Sequence, residues 1–185
     1  MKEWEEFGQK IESLKLDHLK FHIEFLDRDS FKELCNRLYF DFRGSKEICI
    51  TGYFSEAIRE ELEKLQKTQT HLRLICPEFS LTSPRDRKNI EALTKLAESG
   101  VEIKFNNRLH ARMFIAYTPY ANSKTSGELV LGSFDFNTEC MGRERYDAGI
   151  KTSHPDLVRS AIAFFDKVWQ DSGSIKLEEF LKSKK

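Results

Sequence analysis

From residue 47 onward the hydrophobic pattern keeps changing period, and that alternation constrains the fold more than any other feature of the chain. Residues 47–53 (EICITGY), 71–76 (HLRLIC) and 101–105 (VEIKF) are short, β-rich apolar runs of strand length. Between the first two, Ser55 precedes Ile58, Leu62 and Leu65 at helical spacing. Between the second and third, Ser83-Pro84 opens a helix that Gly100 ends, since Pro suits the first helical turn and Gly the position after the last. Three more strands are expected at 110–117 (HARMFIAY), 128–134 (ELVLGSF) and 145–152, with a polar hairpin loop over 118–127. Ser153-x-x-Asp156 then caps a helix carrying Leu157, Ala161, Phe164, Phe165, Val168 and Trp169, and a short helix is expected after Gly173. Strand–helix alternation followed by strands in a row predicts an α/β chain: a mixed sheet sandwiched by helices.

The first 45 residues stand outside this rhythm. Over 14–26, Leu19, Phe21, Ile23 and Phe25 alternate with Lys20, His22 and Glu24, which reads as a strand. A helix follows through Phe31, Leu34, Cys35, Leu38, Tyr39 and Phe42, with Ser30 and Glu33 as a capping box and Gly44 as its stop. Residues 1–45 therefore form an N-terminal α+β extension, and 46–185 the main domain. His18 and His22 have the spacing of helical metal ligands, but on a strand they stand about 13 Å apart, so they read as a solvated face.

Composition excludes several classes. Lys plus Arg and Asp plus Glu are 30 each, which argues against a uniformly polybasic binder while leaving a local basic cleft open. Fifteen Phe require a core or a binding surface. No apolar run reaches membrane-spanning length, and the start Met1-Lys-Glu is unlike a signal peptide. Four Cys without a C-x-x-C pair read as reduced core thiols. The expectation is a soluble, cytoplasmic protein with no metal, no cofactor and no membrane partner.

The residues suited to chemistry lie between His110 and Asp147. His110 and Arg112 are two apart on an expected strand, so both emerge on one face: an imidazole nucleophile or base beside an anion-binding fork. Gly132-Ser133 follows on the next expected strand, where a missing Cβ admits a ligand to the backbone and a hydroxyl can donate to it. Ser133, Asp135 and Asn137 alternate outward if that strand continues. Plainer readings stand beside these: His110 as a hydrogen-bonded core histidine, Arg112 paired to Asp135 or Asp147, Ser133 as a strand-end hydroxyl, and Asp147 paired to Arg143 or Arg145. Lys104, Arg108, Arg112, Lys124, Arg143 and Arg145 form a basic rim for nucleic acid if they converge. His154, before Pro155, reads as a helix cap.

His110-Ala-Arg112, an insertion, Gly132-Ser133-Phe134-Asp135-Phe136-Asn137 and a later acidic strand together resemble the phospholipase D superfamily signature. That signature is H-x-K, then G-S-x-N, commonly G-S-x-N-x-N, with a Glu about a dozen residues beyond the Ser. The order of elements from 46 to about 170 is similar too. The resemblance implies metal-free phosphodiester chemistry in which His110 attacks phosphorus, Arg112 and Ser133 bind non-bridging oxygens, and Asp147 orients the imidazole. Gly132 and Asn137 then belong to the substrate-binding loop. The second, acid histidine of the family has no counterpart, because His71-Leu-Arg73 lacks a following Gly-Ser; the resemblance thus implies a homodimer sharing one site. Small single-motif members resemble nucleases more than lipases, which makes nucleic acid the expected substrate or ligand. Three positions depart from the signature: Arg112 replaces Lys, Tyr117 replaces an Asp, and Asp135 replaces the first Asn. Those changes also suit a catalytically degenerate module that binds nucleic acid or a protein partner.

Overall fold

The computed structural model describes residues 22–54, 56–79, 83–119, 125–135 and 147–183. Their elements in chain order are β1 (Ile23–Leu26), α1 (Arg28–Asn36), α2 (Leu38–Phe42), β2 (Glu47–Thr51), α3 (Glu56–Lys67), β3 (His71–Cys76) and α4 (Pro84–Glu98). Then follow β4 (Glu102–Phe105), β5 (Met113–Pro119), β6 (Thr125–Gly132), β7 (Gly149–Thr152), α5 (Pro155–Gln170), β8 (Ile175–Lys176) and α6 (Leu177–Ser183). The eight strands form one mixed sheet in the order β1-β7-β6-β5-β2-β3-β4-β8. Strands β2, β3 and β4 run parallel, whereas β5, β6, β7 and β1 pair antiparallel in succession. The α/β class expected from the alternation is therefore the one observed.

Strand alternation sends two apolar sets to opposite faces. On one face Ile48, Ile50, Leu72, Leu74, Phe105, Phe114 and Val130 meet buried side chains of α1 to α4 and α6. On the other, Cys49, Ile75, Met113, Ile115 and Leu129 are covered by Val158, Ala161 and Phe165 of α5. Residues 23–42 join this body fully: β1 pairs with β7, and Phe31, Leu34, Leu38 and Phe42 lie in the first core. Among the described residues no helix is long and apolar enough to cross a membrane.

Local details differ from the sequence pattern where side chains compete for backbone groups. The helix expected through residue 42 breaks at Arg37 (φ −119°, ψ 9°) into α1 and α2. Its N-cap is Asp27 rather than Ser30, because the Asp27 carboxylate accepts from both the backbone N–H (2.9 Å) and the hydroxyl (2.7 Å) of Ser30. For α5 the cap is His154, whose Nδ1 accepts from Asp156 N at 3.2 Å, while Ser153 Oγ accepts from His22 N. Strands β5 and β6 stay paired out to Pro119 and Thr125, so their hairpin connection is shorter than the loop expected over 118–127.

Candidate functional site

The start of β5 and the ends of β2 and β6 coincide at one edge of the sheet, since Thr51 pairs with Met113 and Met113 with Leu131. This edge lies beyond the carboxyl ends of the parallel strands, where open α/β sheets place ligands. His110 and Arg112 are on the segment that leads into β5 rather than on the strand itself. Ladder pairing stops there because the fully buried Thr51 hydroxyl takes over both backbone groups: it donates to Ala111 O (2.9 Å) and accepts from Met113 N (3.1 Å). Asn106, 3% exposed, anchors the other end of the segment. Its amide donates to Ser174 Oγ (2.9 Å), its side-chain carbonyl accepts from Arg108 N (2.9 Å), and its backbone N–H bonds Cys76 O (2.9 Å). The His110 imidazole is exposed and makes no hydrogen bond with a described residue. Thr51 and Asn106 carry no motif, and a polar residue closing an apolar strand was their only signal.

Strand β6 ends at Gly132, so it does not continue through Ser133 and Asp135 as their alternation requires. Phe134 turns inward instead, 5% exposed, and stacks on Phe31 of α1 with centroids 4.1 Å apart. The missing Cβ of Gly132 lets β6 and β7 approach closely. A Cβ there would lie 2.7 Å from Ala148 O and 2.9 Å from Gly149 Cα, and Gly149 is equally confined. Ser133 and Asp135 flank the inward-turned ring on the site edge. Ser133 Oγ donates to Asp147 Oδ1 (2.7 Å) and accepts from Ala148 N (3.2 Å), while its own N–H bonds Ala148 O. Among the described residues, Asp147 thus has Ser133 as its partner, and no hydrogen bond ties it to the His110 ring. Arg112 Nε donates to Asp135 Oδ1 at 2.5 Å, and Arg112 Nη1 reaches His110 O at 3.4 Å. Asp135 is the more enclosed member, 11% exposed against 28% for Arg112. A guanidinium has five N–H donors, so these contacts leave donors for a further anion.

Each described member of the expected basic rim has a partner within the protein. Lys104 donates to Trp169 O (2.7 Å) with its ammonium over the Trp169 ring, Arg108 pairs with Asp171, and Arg112 with Asp135. Asn137, Lys124, Arg143 and Arg145 lie outside the described residues. Tyr117 sits at the opposite end of the sheet, its hydroxyl 3.4 Å from Arg73, so its departure from the family pattern leaves the site untouched. His71 and Arg73 are also remote from the site. His71 lies between Glu47 and Glu102, and Arg73 pairs with Asp166 (2.9 Å) under the Phe165 and Trp169 rings. Among the described residues no cluster of His, Cys, Asp and Glu is arranged to hold a metal ion.

No protein-family model matches the chain, and no curated protein matches it by sequence. Solved structures do. Polyphosphate kinase from Porphyromonas gingivalis superposes with a TM-score of 0.65 at 18% identity over 80% of this chain, which spans only 26% of the kinase. Nuc from Salmonella typhimurium, a phospholipase D family member, gives 0.61 at 14% identity, covering 85% of this chain and 97% of Nuc. NucT from Helicobacter pylori gives 0.63 at 13% identity, covering 85% and 99%. The mixed eight-stranded sheet, its helical layers and this correspondence over nearly the whole of Nuc and NucT show that the chain has the fold of these proteins, a phospholipase D-like fold.

Proposed function

We propose that the chain is a metal-independent phosphodiesterase, a nuclease by substrate, working in the cytoplasm through a phosphohistidine at His110 in a site shared by two copies. The supporting observation is the gathering of an exposed His110, Arg112 and an already oriented Ser133–Asp147 pair at one sheet edge. A lone pair on the imidazole attacks phosphorus, and the bond from phosphorus to the leaving oxygen breaks as that oxygen takes a proton from His110 of a second copy. Water then attacks, gives its proton to that second histidine, and the phosphorus–nitrogen bond breaks to restore His110. Arg112 and Ser133 hold the non-bridging oxygens, where charge builds in each transition state. The Ser133 hydroxyl, which donates its one proton to Asp147 in the free site, turns that proton to a non-bridging oxygen when the phosphate binds, and Asp147 takes it back on release. A nucleic-acid backbone presents such a diester at every step along the strand, which favours it as the substrate.

The test is cleavage of labelled single- and double-stranded DNA and RNA in excess EDTA, with His110→Ala alongside. Cleavage that survives EDTA and disappears in the variant is the expected result; a panel of four uncut substrates sinks the catalytic reading.

A second reading, a binding module without turnover, is favoured by the Arg112–Asp135 pair. A carboxylate about 4 Å from a phosphate repels it by on the order of 4 kcal/mol at an effective dielectric near 20. Asp135→Asn separates the two readings. In an enzyme held back by this charge the substitution tightens phosphate binding by up to roughly a thousandfold and raises turnover. In a binding module it tightens retention of the oligonucleotide with no turnover appearing. Unchanged affinity places Asp135 outside the phosphate site.

A further inference from the structure

The cleft beside His110 has a composition that phosphate chemistry leaves unexplained. It has a volume of about 270 Å³ and lies between residues 106–111 and α5. Leu109 and Ala111 line one wall with the His110 ring, and Phe164 of α5 lines the other. Phe164 is 43% exposed, although the next residue, Phe165, is fully buried and stacked on Trp169. Among the described residues Phe164 stacks on no other ring. At the mouth, Asp171 pairs with Arg108. The N–H of Gly173 and the Arg108 guanidinium hold the Asp171 carboxyl below the usual range, so it stays charged at neutral pH.

Arg108 and Asp171 cancel in charge, so the cleft offers a second phosphate no net attraction. An exposed ring, apolar walls and an acceptor at the rim suit a flat, neutral group with N–H donors along its edge. We infer that the cleft receives an unstacked nucleobase next to the scissile phosphate, with Phe164 as its stacking platform and Asp171 accepting from the base edge. This inference rests on the nuclease reading above and narrows it: a base inside a duplex is already stacked and paired, so the site selects single strands. Aromatic stacking tolerates any base, so the selectivity is for strandedness more than for sequence.

The experiment uses the full chain carrying His110→Gln, which blocks turnover. It measures anisotropy of a labelled single-stranded DNA, of the same strand with abasic sugars, and of the duplex. With Phe164→Leu added, the single strand is expected to bind roughly tenfold more weakly, the size of one lost base–aromatic stack. Phe164→Trp retains the affinity, and the abasic strand binds equally well with and without Phe164→Leu. Phe164 is half exposed, so the Phe164→Leu protein stays folded, which its melting curve checks. Equal binding of the single strand with and without Phe164→Leu overturns the stacking inference and leaves the nuclease reading standing. Failure of every nucleic acid to bind the protein that retains Phe164 overturns both.

Discussion

Thr51 shows how the candidate groups are held: the contacts that position His110 and Arg112 run through the backbone on which they sit. Its buried hydroxyl satisfies a carbonyl and an N–H that the ending β-ladder would otherwise strand. Thr51→Val keeps the shape and removes both bonds, leaving a buried donor unpaired, at a cost of about 1–3 kcal/mol. If the segment must be held for catalysis, turnover falls about tenfold or more at temperatures where the variant remains folded, because small displacements of a reacting group are expensive. Melting and turnover measured on one preparation check this, and full activity with a lowered melting temperature would show that the segment is held by other means. At this scale the sequence made the set of groups legible, but not their pairings. His110, Arg112, Ser133 and Asp147 were recognisable from spacing and resemblance. That Ser133 meets Asp147 and Arg112 meets Asp135 depends on where β5 begins and β6 ends, which Thr51 and the inward turn of Phe134 decide.

Elements were most legible where periodicity was sustained. β3 spans the residues expected for it, and α4 opens at Pro84 and stops before Gly100, as its Ser-Pro start and Gly end require. The ends of β5 and β6 and the break at Arg37 were not legible, because they follow from long-range competition for hydrogen bonds rather than from local pattern. Strands β2, β3 and β4 carry a further contact that local pattern hides. His71 sits between Glu47 (2.9 Å) and Glu102 (2.6 Å), tying the starts of three neighbouring strands together. Burial opposes charging the ring, but the Glu102 and Glu47 carboxylates outweigh it and raise the His71 pKa above its ordinary 6.5. A raised folded-state pKa gives stability that is fully present below the unfolded value and is lost as pH rises through the folded one. Denaturant midpoints from about pH 6 to about pH 8.5 should therefore fall more steeply for the parent than for His71→Gln. Parallel curves would remove the triad from the stability account.

Over the whole molecule, the described part of the N-terminal extension is built into the main body. Leu26, Phe31, Leu34, Cys35, Leu38 and Phe42 are all at most 6% exposed and belong to the first core. At about 1.5–3 kcal/mol for each large side chain, their burial is on the order of 10 kcal/mol, comparable to the entire stability of a domain. A chain beginning at Ser45 should lose its cooperative melting transition; a sharp transition in that truncated chain would show that the sheet stands without β1, α1 and α2. The buried thiols give a second global probe. Burial pushes Cys35 and Cys49 up to about 12, so alkylation of either should be slow in the folded chain and track global unfolding. Alkylation at the rate of a free thiol would contradict that burial. The covalent adduct itself is the most direct test of the proposed phosphohistidine route. The chain is mixed with a phosphodiester substrate in EDTA, quenched within a turnover and digested, and the peptide containing His110 is weighed. The expected result is the mass of the phosphoryl group together with the ester group it retains on that peptide, and no adduct in His110→Ala. Turnover with no adduct, or with the adduct on another residue, would contradict it.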